Sequence, residues 1–267
     1  GMRSIPTSLF NLAQEIGVEF KFNVPIKKIK VDKNKVVSVL TKDQEFFSDL
    51  IACNNDVYYV YKKLLPNKYS LKLNTEQERS SSAIIFYLGI KKEFNQLDLH
   101  NIFFSEDYKT EFDSIQKGNI YKDPTIYVNI SSKKTPSDAP TNMENWFVMI
   151  NTPFDSGQDW DRLISEARVN VINKLNRVLK TDIESLIVCE EVVDPRSIEA
   201  DTYSFTGSLY GTSSNTKGAA FFRHPNFSRK IKGLYFCGGS VHPGGGIPLV
   251  LSSAKIVDGL IPAINEN

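Results

Sequence analysis

Five glycines fall within nine residues in the segment Gly238-Gly239-Ser240-Val241-His242-Pro243-Gly244-Gly245-Gly246. Glycine loses more backbone entropy on folding than any other residue, so this density implies backbone shapes or close approaches that side chains would forbid. The apolar run Leu234 to Cys237 before it reads as a short strand. Ile247-Pro248, then Leu249, Val250, Ala254, Val257 and Leu260, read as a helix with proline near its first position. A strand, a glycine loop and a helix in that order aim backbone N–H groups and the positive helix end at one point. That suits a phosphate or an electron-rich ring oxygen; a tight turn that serves packing alone is the competing reading.

Other chemistry finds little support. The sequence has no G-x-G-x-x-G, no Walker loop and no G-x-S-x-G elbow. His100 and His224 stand isolated and read as structural or surface residues, whereas His242 lies inside the glycine loop and is open to either role. No metal-ligand spacing occurs, and Cys53, Cys189 and Cys237 are three, far apart and without a C-x-x-C pair, which fits a reducing, cytoplasmic setting. With 32 basic and 31 acidic side chains, the net charge of +1 gives no reason to expect nucleic acid. No apolar stretch approaches the roughly 20 residues of a membrane span.

The elements that position the loop divide by texture. Leu9, Leu12, Ala13 and Ile16 recur at helical spacing, with Gly17 where such a helix would stop. Val18, Phe20, Phe22 and Val24 alternate as a strand would, Ile29 to Leu40 form a hairpin turning at residues 32–35, and Leu50 to Cys53 read as a buried strand running into Asn54, Asn55 and Asp56. Strands follow at Ala83 to Ile90, Ile102 to Phe104, Thr125 to Ile130, Trp146 to Ile150 and Ile183 to Val193. The stripe Trp160, Leu163, Ile164, Ala167, Val171, Leu175 and Val178 marks a helix packed on their sheet. The fold class expected is α+β.

Residues 234–248, with Ser253-Ala254-Lys255 after them, resemble the C-terminal signature of the carotenoid desaturases, the phytoene dehydrogenase family of FAD-dependent oxidoreductases. Asp123-Pro124-Thr125-Ile126-Tyr127-Val128, Pro136-Ser137-Asp138-Ala139-Pro140, Asn145-Trp146 and Gly207-Ser208-Leu209-Tyr210-Gly211 look like that family's central landmarks, in its order. The resemblance implies a C-terminal portion whose partner, the N-terminal half with its dinucleotide-binding strand, turn and helix, is missing. It implies a second FAD-contacting segment at 1–60, a β-rich substrate domain at 61–227 and a C-terminal FAD-binding segment at 228–267, the flanking pieces forming an incomplete Rossmann-like layer.

The same resemblance assigns Gly238, Gly239 and Ser240 to the phosphate and ribityl side of FAD, Gly246, Ile247 and Pro248 to its ring side, and Val24 to the adenine end, with His242 inside the loop. The implied reaction desaturates a phytoene-like polyene by hydride transfer to flavin; no general base is identifiable. A hydrocarbon substrate implies an apolar tunnel, to which Phe86, Tyr87, Phe103 and Phe104 are candidates, and docking on a membrane surface. Exposed strand edges imply a homodimer. A reduced-flavin carotenoid isomerase or saturase, or a non-catalytic module that holds apolar ligands or assembles with another chain, are the alternatives.

Overall fold

The computed structural model describes residues 1–70, 79–213 and 223–262. Helix α1 (Ser4–Glu15) buries none of its residues. After it, β1 (Lys28–Asp32) and β2 (Lys35–Leu40) form the expected hairpin; Lys33 and Asn34 at its turn both have positive φ, as a two-residue turn matched to strand twist requires. Strand β3 (Glu45–Phe47) completes a three-stranded antiparallel sheet of order β1-β2-β3.

The strand expected over Val18 to Val24 does not form. Alternation alone does not make a strand without a neighbour to share its backbone hydrogen bonds. Instead the Phe10 ring lies 4.5 Å from that of Phe20 and 5.8 Å from that of Phe22, so the aromatic pair folds back on the helix.

Strand β4 (Ile51–Cys53) runs into a helical turn, α2 (Val57–Tyr59), continued by a π-turn at Val60–Leu64. The larger sheet is antiparallel throughout and has the order β6-β7-β8-β5-β9. Its strands are β5 (Ser82–Ile90), β6 (His100–Phe103), β7 (Ile126–Asn129), β8 (Glu144–Thr152) and β9 (Ile187–Val193). Helix α3 (Tyr108–Gln116), capped by Asp107, links β6 to β7. Helix α4 (Trp160–Leu179), capped by Asp159, lays Trp160, Leu163, Ala167, Val171 and Leu175 on Phe86, Leu88, Trp146, Val148 and Ile150. Val178, at the end of that stripe, is 49% exposed, and Leu179 beside it packs against the core instead. Phe86 faces this core, so it lines no cavity on the sheet's other side.

Helix α5 (Pro195–Thr202) starts on a capping box in which Asp194 and Ser197 exchange bonds. Strand β10 (Leu234–Phe236) pairs in parallel with β4, and α6 (Ile247–Leu260) follows. The two strands bury a second core of Ile29, Val36, Cys53, Val57, Val60, Leu234, Phe236 and Val241. Tyr61, Leu64, Leu65 and Tyr69 pack into it as well.

Candidate functional site: the glycine loop and the sheet end beside it

Strand β10 is held on both edges. Cys237 N donates to Cys53 O at 3.0 Å on one side, and on the other Phe236 N donates to Asn226 O and Ser228 N to Leu234 O. Leaving β10, the chain has few side chains of its own with which to define a shape, and neighbouring elements define it. Gly238 N donates to Ser253 Oγ on α6 at 2.8 Å, and Val57 N donates to Ser240 Oγ at 3.0 Å, which ties the loop to the start of α2. Asn226 Nδ2 donates to Phe236 O and His242 O, and His242 N donates to His224 O. Arg223 reaches in from the side, donating to Gly239 O at 3.0 Å, Tyr210 O at 2.8 Å and Thr212 O at 3.1 Å. Burial, with the Arg79 charge adding to it, lowers the Arg223 pKa.

Arg79 and Asp56 form the charged pair beneath the loop. Arg79 Nη2 lies 2.8 Å from Asp56 Oδ2, both side chains being under a tenth exposed, while Asp56 Oδ1 accepts from Tyr58 N and so caps α2. Among the described residues, Nε and Nη1 of Arg79 are buried without a hydrogen-bond partner. The guanidinium carbon sits 4.6 Å from the Tyr58 ring centroid and 5.2 Å from that of Phe205, and these ring faces offset part of the missing bonds.

The loop's last glycine is where the site opens. Gly246 has φ of 97°, a conformation an L side chain rarely adopts, and a Cβ built there meets nothing within 4 Å. It precedes α6, whose N-terminus no side chain caps; Ile247 and Leu249 in the first turn are 45% and 42% exposed. Free first-turn N–H groups and a positive dipole end therefore face open space. Gly245 is the opposite case, since a Cβ there would lie 2.3 Å from Tyr210 Cδ1. A cavity of about 530 Å³ runs from Gly244 and Gly245 past Tyr210 and Arg223 to Pro153 and Phe154 at the end of β8.

The structure thus gathers Gly238, Gly239, Ser240, His242, Gly246, Ile247 and Pro248 on one loop and helix start. The Gly238 N–H and the Ser240 hydroxyl are turned inward to Ser253 and Val57, whereas Gly246 and Ile247 face outward. The His242 side chain is exposed and its backbone is the part that is held. Val24 is half-buried on the irregular segment before β1, and no hydrogen bond joins it to the loop among the described residues. Asn54 sits against Gly238, its Oδ1 2.6 Å from where a Cβ would be. Asp56, Arg79, Arg223 and Asn226 escape a reading by motif; the run of three polar residues closing β4 marks Asp56, but nothing in the sequence pairs it with Arg79.

Residues 1–257 match the family described as flavin containing amine oxidoreductase. The chain belongs to that family. Among curated relatives, it is 54% identical to a 1-hydroxycarotenoid 3,4-desaturase from Flavobacterium sp. (strain P99-3), over 99% of this chain and 54% of that protein. It is 32% identical to a zeta-carotene-forming phytoene desaturase of Myxococcus xanthus, over 96% of this chain and 50% of the relative. The chain spans about half the length of the curated relatives it matches. Solved structures share the fold: an oxidoreductase from Methanosarcina mazei superposes with a TM-score of 0.61 at 13% identity, covering 97% of this chain and 54% of the other. A putrescine oxidase does so at 0.56 and 13%, covering 93% and 51%. The α+β class and the carotenoid-desaturase resemblance stand together with these matches.

Proposed function

We propose that this chain carries the C-terminal flavin-contacting segment and the substrate sheet of an FAD-dependent carotenoid desaturase. The observation that carries the reading is the cavity that joins Gly244 and Gly245 to Pro153 and Phe154 just past the end of β8 and to Phe112 and Ile115 of α3, so that the glycine loop and an apolar wall share one space. The residues fit the ring side of a flavin: Gly246 leaves room, and the uncapped α6 N-terminus offers donors to electron-rich ring atoms and favours negative charge there. FAD, when bound, supplies the two-electron acceptor for removing two hydrogens from a saturated carbon pair beside a polyene.

What this chain adds is placement. Arg223, Asn226 and the Asp56–Arg79 pair fix the loop, while Ile85, Tyr87, Phe147, Met149 and Tyr127 alternate with core residues and therefore face away from α4. A substrate without charge is held by such a surface and by exclusion of water. The dinucleotide fingerprint is absent from these 267 residues, so the reading assigns it to polypeptide outside them. In support, α1 exposes Ile5, Leu9 and Leu12, its C-cap Ile16 is exposed too, and α6 exposes Leu249 and Leu251, apolar faces suited to cover. Docking on a membrane surface and self-association through strand edges of the incomplete flanking layer belong to the same proposal; among the described residues no helix is long and apolar enough to cross a membrane.

FAD titration followed by absorbance, with this chain alone and with the N-terminal half of the 54%-identical relative, tests it. Flavin bound by the mixture, and conversion of a linear polyene to a product shorter by two hydrogens, is the expected result. A folded mixture that takes up no flavin rejects it, and an isomerised or saturated product shifts it to the corresponding alternative.

A further inference from the structure

Three turns of the chain meet at one corner of the second core. Tyr69 Oη donates to Asn34 Oδ1 at 2.7 Å, and Lys232 N donates to Asn34 O at 2.8 Å. Asn34, at the tip of the β1–β2 hairpin, thereby joins the segment that follows the π-turn to the turn over residues 228–232. That last turn is also held from within, because the buried Ser228 hydroxyl accepts from Lys230 N, Ile231 N and Tyr61 Oη.

The side chains that these turns present are cationic. Lys33, Lys35, Lys68, Arg229, Lys230 and Lys232 are all exposed. Asp32, Asp49 and Asp258 are the acidic residues on the adjoining segments, and Asp49 is already engaged by Lys35 at 2.7 Å. The whole chain has a net charge of only +1, so the excess is local. Beside Lys35 and Lys232 an open groove of about 580 Å³ runs over Leu50, Phe227, Ile231 and Tyr235 to Leu260. Phe227 and Leu260 are 38% and 41% exposed.

We infer that this corner docks on a bilayer carrying anionic lipid, its cations on the headgroup phosphates and its groove, with Phe227 and Leu260, against the acyl boundary. The inference rests on the need of the reading above for a substrate taken from lipid, and adds the surface that docks and the charge of the lipid it meets. Cations alone would fit any polyanion. Cations beside an apolar groove match an amphiphile, in which charge and hydrocarbon adjoin. Each cation near such a surface strengthens binding by about fivefold, and salt screens the attraction.

The test is co-sedimentation of this chain with vesicles of phosphatidylcholine, and of an equal mixture of phosphatidylcholine and phosphatidylglycerol, at low and high salt. The mixed vesicles are expected to bind it at least about tenfold tighter, and high salt to remove most of the difference. Arg229→Gln with Lys230→Gln should weaken that binding about twentyfold to thirtyfold. Lys109→Gln with Lys117→Gln, which removes the same charge from α3, should leave it unchanged. Phe227→Ser should weaken vesicle binding without changing retention on heparin, a soluble polyanion. Equal losses from the two double variants would mean that binding follows net charge, and overturn the inference. Phe227→Ser binding the mixed vesicles as tightly as the unaltered chain overturns it in favour of a polyanionic partner. Binding indifferent to lipid charge also overturns it and moves docking to another surface, whereas binding to neither vesicle rejects docking altogether. None of these outcomes touches the flavin and polyene reading, which FAD titration and product analysis decide separately.

Discussion

Two adjacent glycines separate close packing from open space at the level of single residues. At Gly245 a methyl group would press on the Tyr210 ring, 2.3 Å from Cδ1 and 3.2 Å from Cβ, whereas at Gly246 it would meet nothing. Gly245→Ala is therefore expected to cost about 1–3 kcal/mol of stability through overpacking, with Tyr210→Ala in the same chain relieving much of the added cost. Gly246→Ala pays only for its positive φ, of order 1 kcal/mol, yet should weaken flavin binding in the completed enzyme by more than Gly245→Ala does. Urea unfolding and FAD titration of the three variants check the pair of statements. That the loop matters was legible, because glycine density is written in the sequence; which glycine faces open space was not, since this depends on Tyr210, thirty-five residues away in the chain.

At the scale of elements, the glycine loop is only as well placed as the turn of α2 beneath it. Asp56 caps that turn and holds Arg79, and the Ser240 hydroxyl takes the Val57 N–H. Removing the cation alone leaves a buried carboxylate without its partner, so Arg79→Leu is expected to destabilise by about 3–5 kcal/mol. Asp56→Asn added to Arg79→Leu removes the stranded charge and should recover part of the loss, the amide oxygen still capping Tyr58 N. Equal stabilities of the single and double variants in urea would contradict a charge-pair origin. Such contacts between distant segments are what periodicity cannot show. The stripe of α4 and the strands of the larger sheet were readable because each carries its own burial pattern. The alternation over Val18 to Val24 misleads, because Phe20 and Phe22 satisfy it by packing on Phe10. Helices α3 and α5 are short: the stripe of α3 is only Tyr108, Phe112 and Ile115, and α5 offers Ile198 behind Asp194-Pro195, signals too brief to stand out from the loops around them.

For the molecule as a whole, the two cores differ in which groups titrate. Trp146 and Trp160, the chain's two tryptophans, both lie in the core between the larger sheet and α4, whereas Cys53, Tyr61 and Cys237 cluster around β4 and β10. Burial, and secondarily the neighbouring Cys237, pushes the Cys53 thiol from 9.0 up to about 12; burial likewise raises Tyr61, against the effect of the bond its hydroxyl donates to Ser228, and raises Cys237. A raised pKa for an acid means that the folded state keeps its proton where the unfolded state loses it. Stability from these groups is thus full below about pH 9 and falls as pH rises toward 12, because the unfolded chain then binds fewer protons. The loss falls on the core that holds the glycine loop. In alkaline titrations, tyrosine and thiol absorbance should report loosening around β4 and β10 before tryptophan fluorescence changes. Cys53→Ala should flatten the alkaline limb at a cost of about 1 kcal/mol near neutral pH for the lost contact. Simultaneous transitions by both probes, with and without that substitution, would show that the two cores unfold as one and that the layer of β4 and β10 has no separate stability to lose.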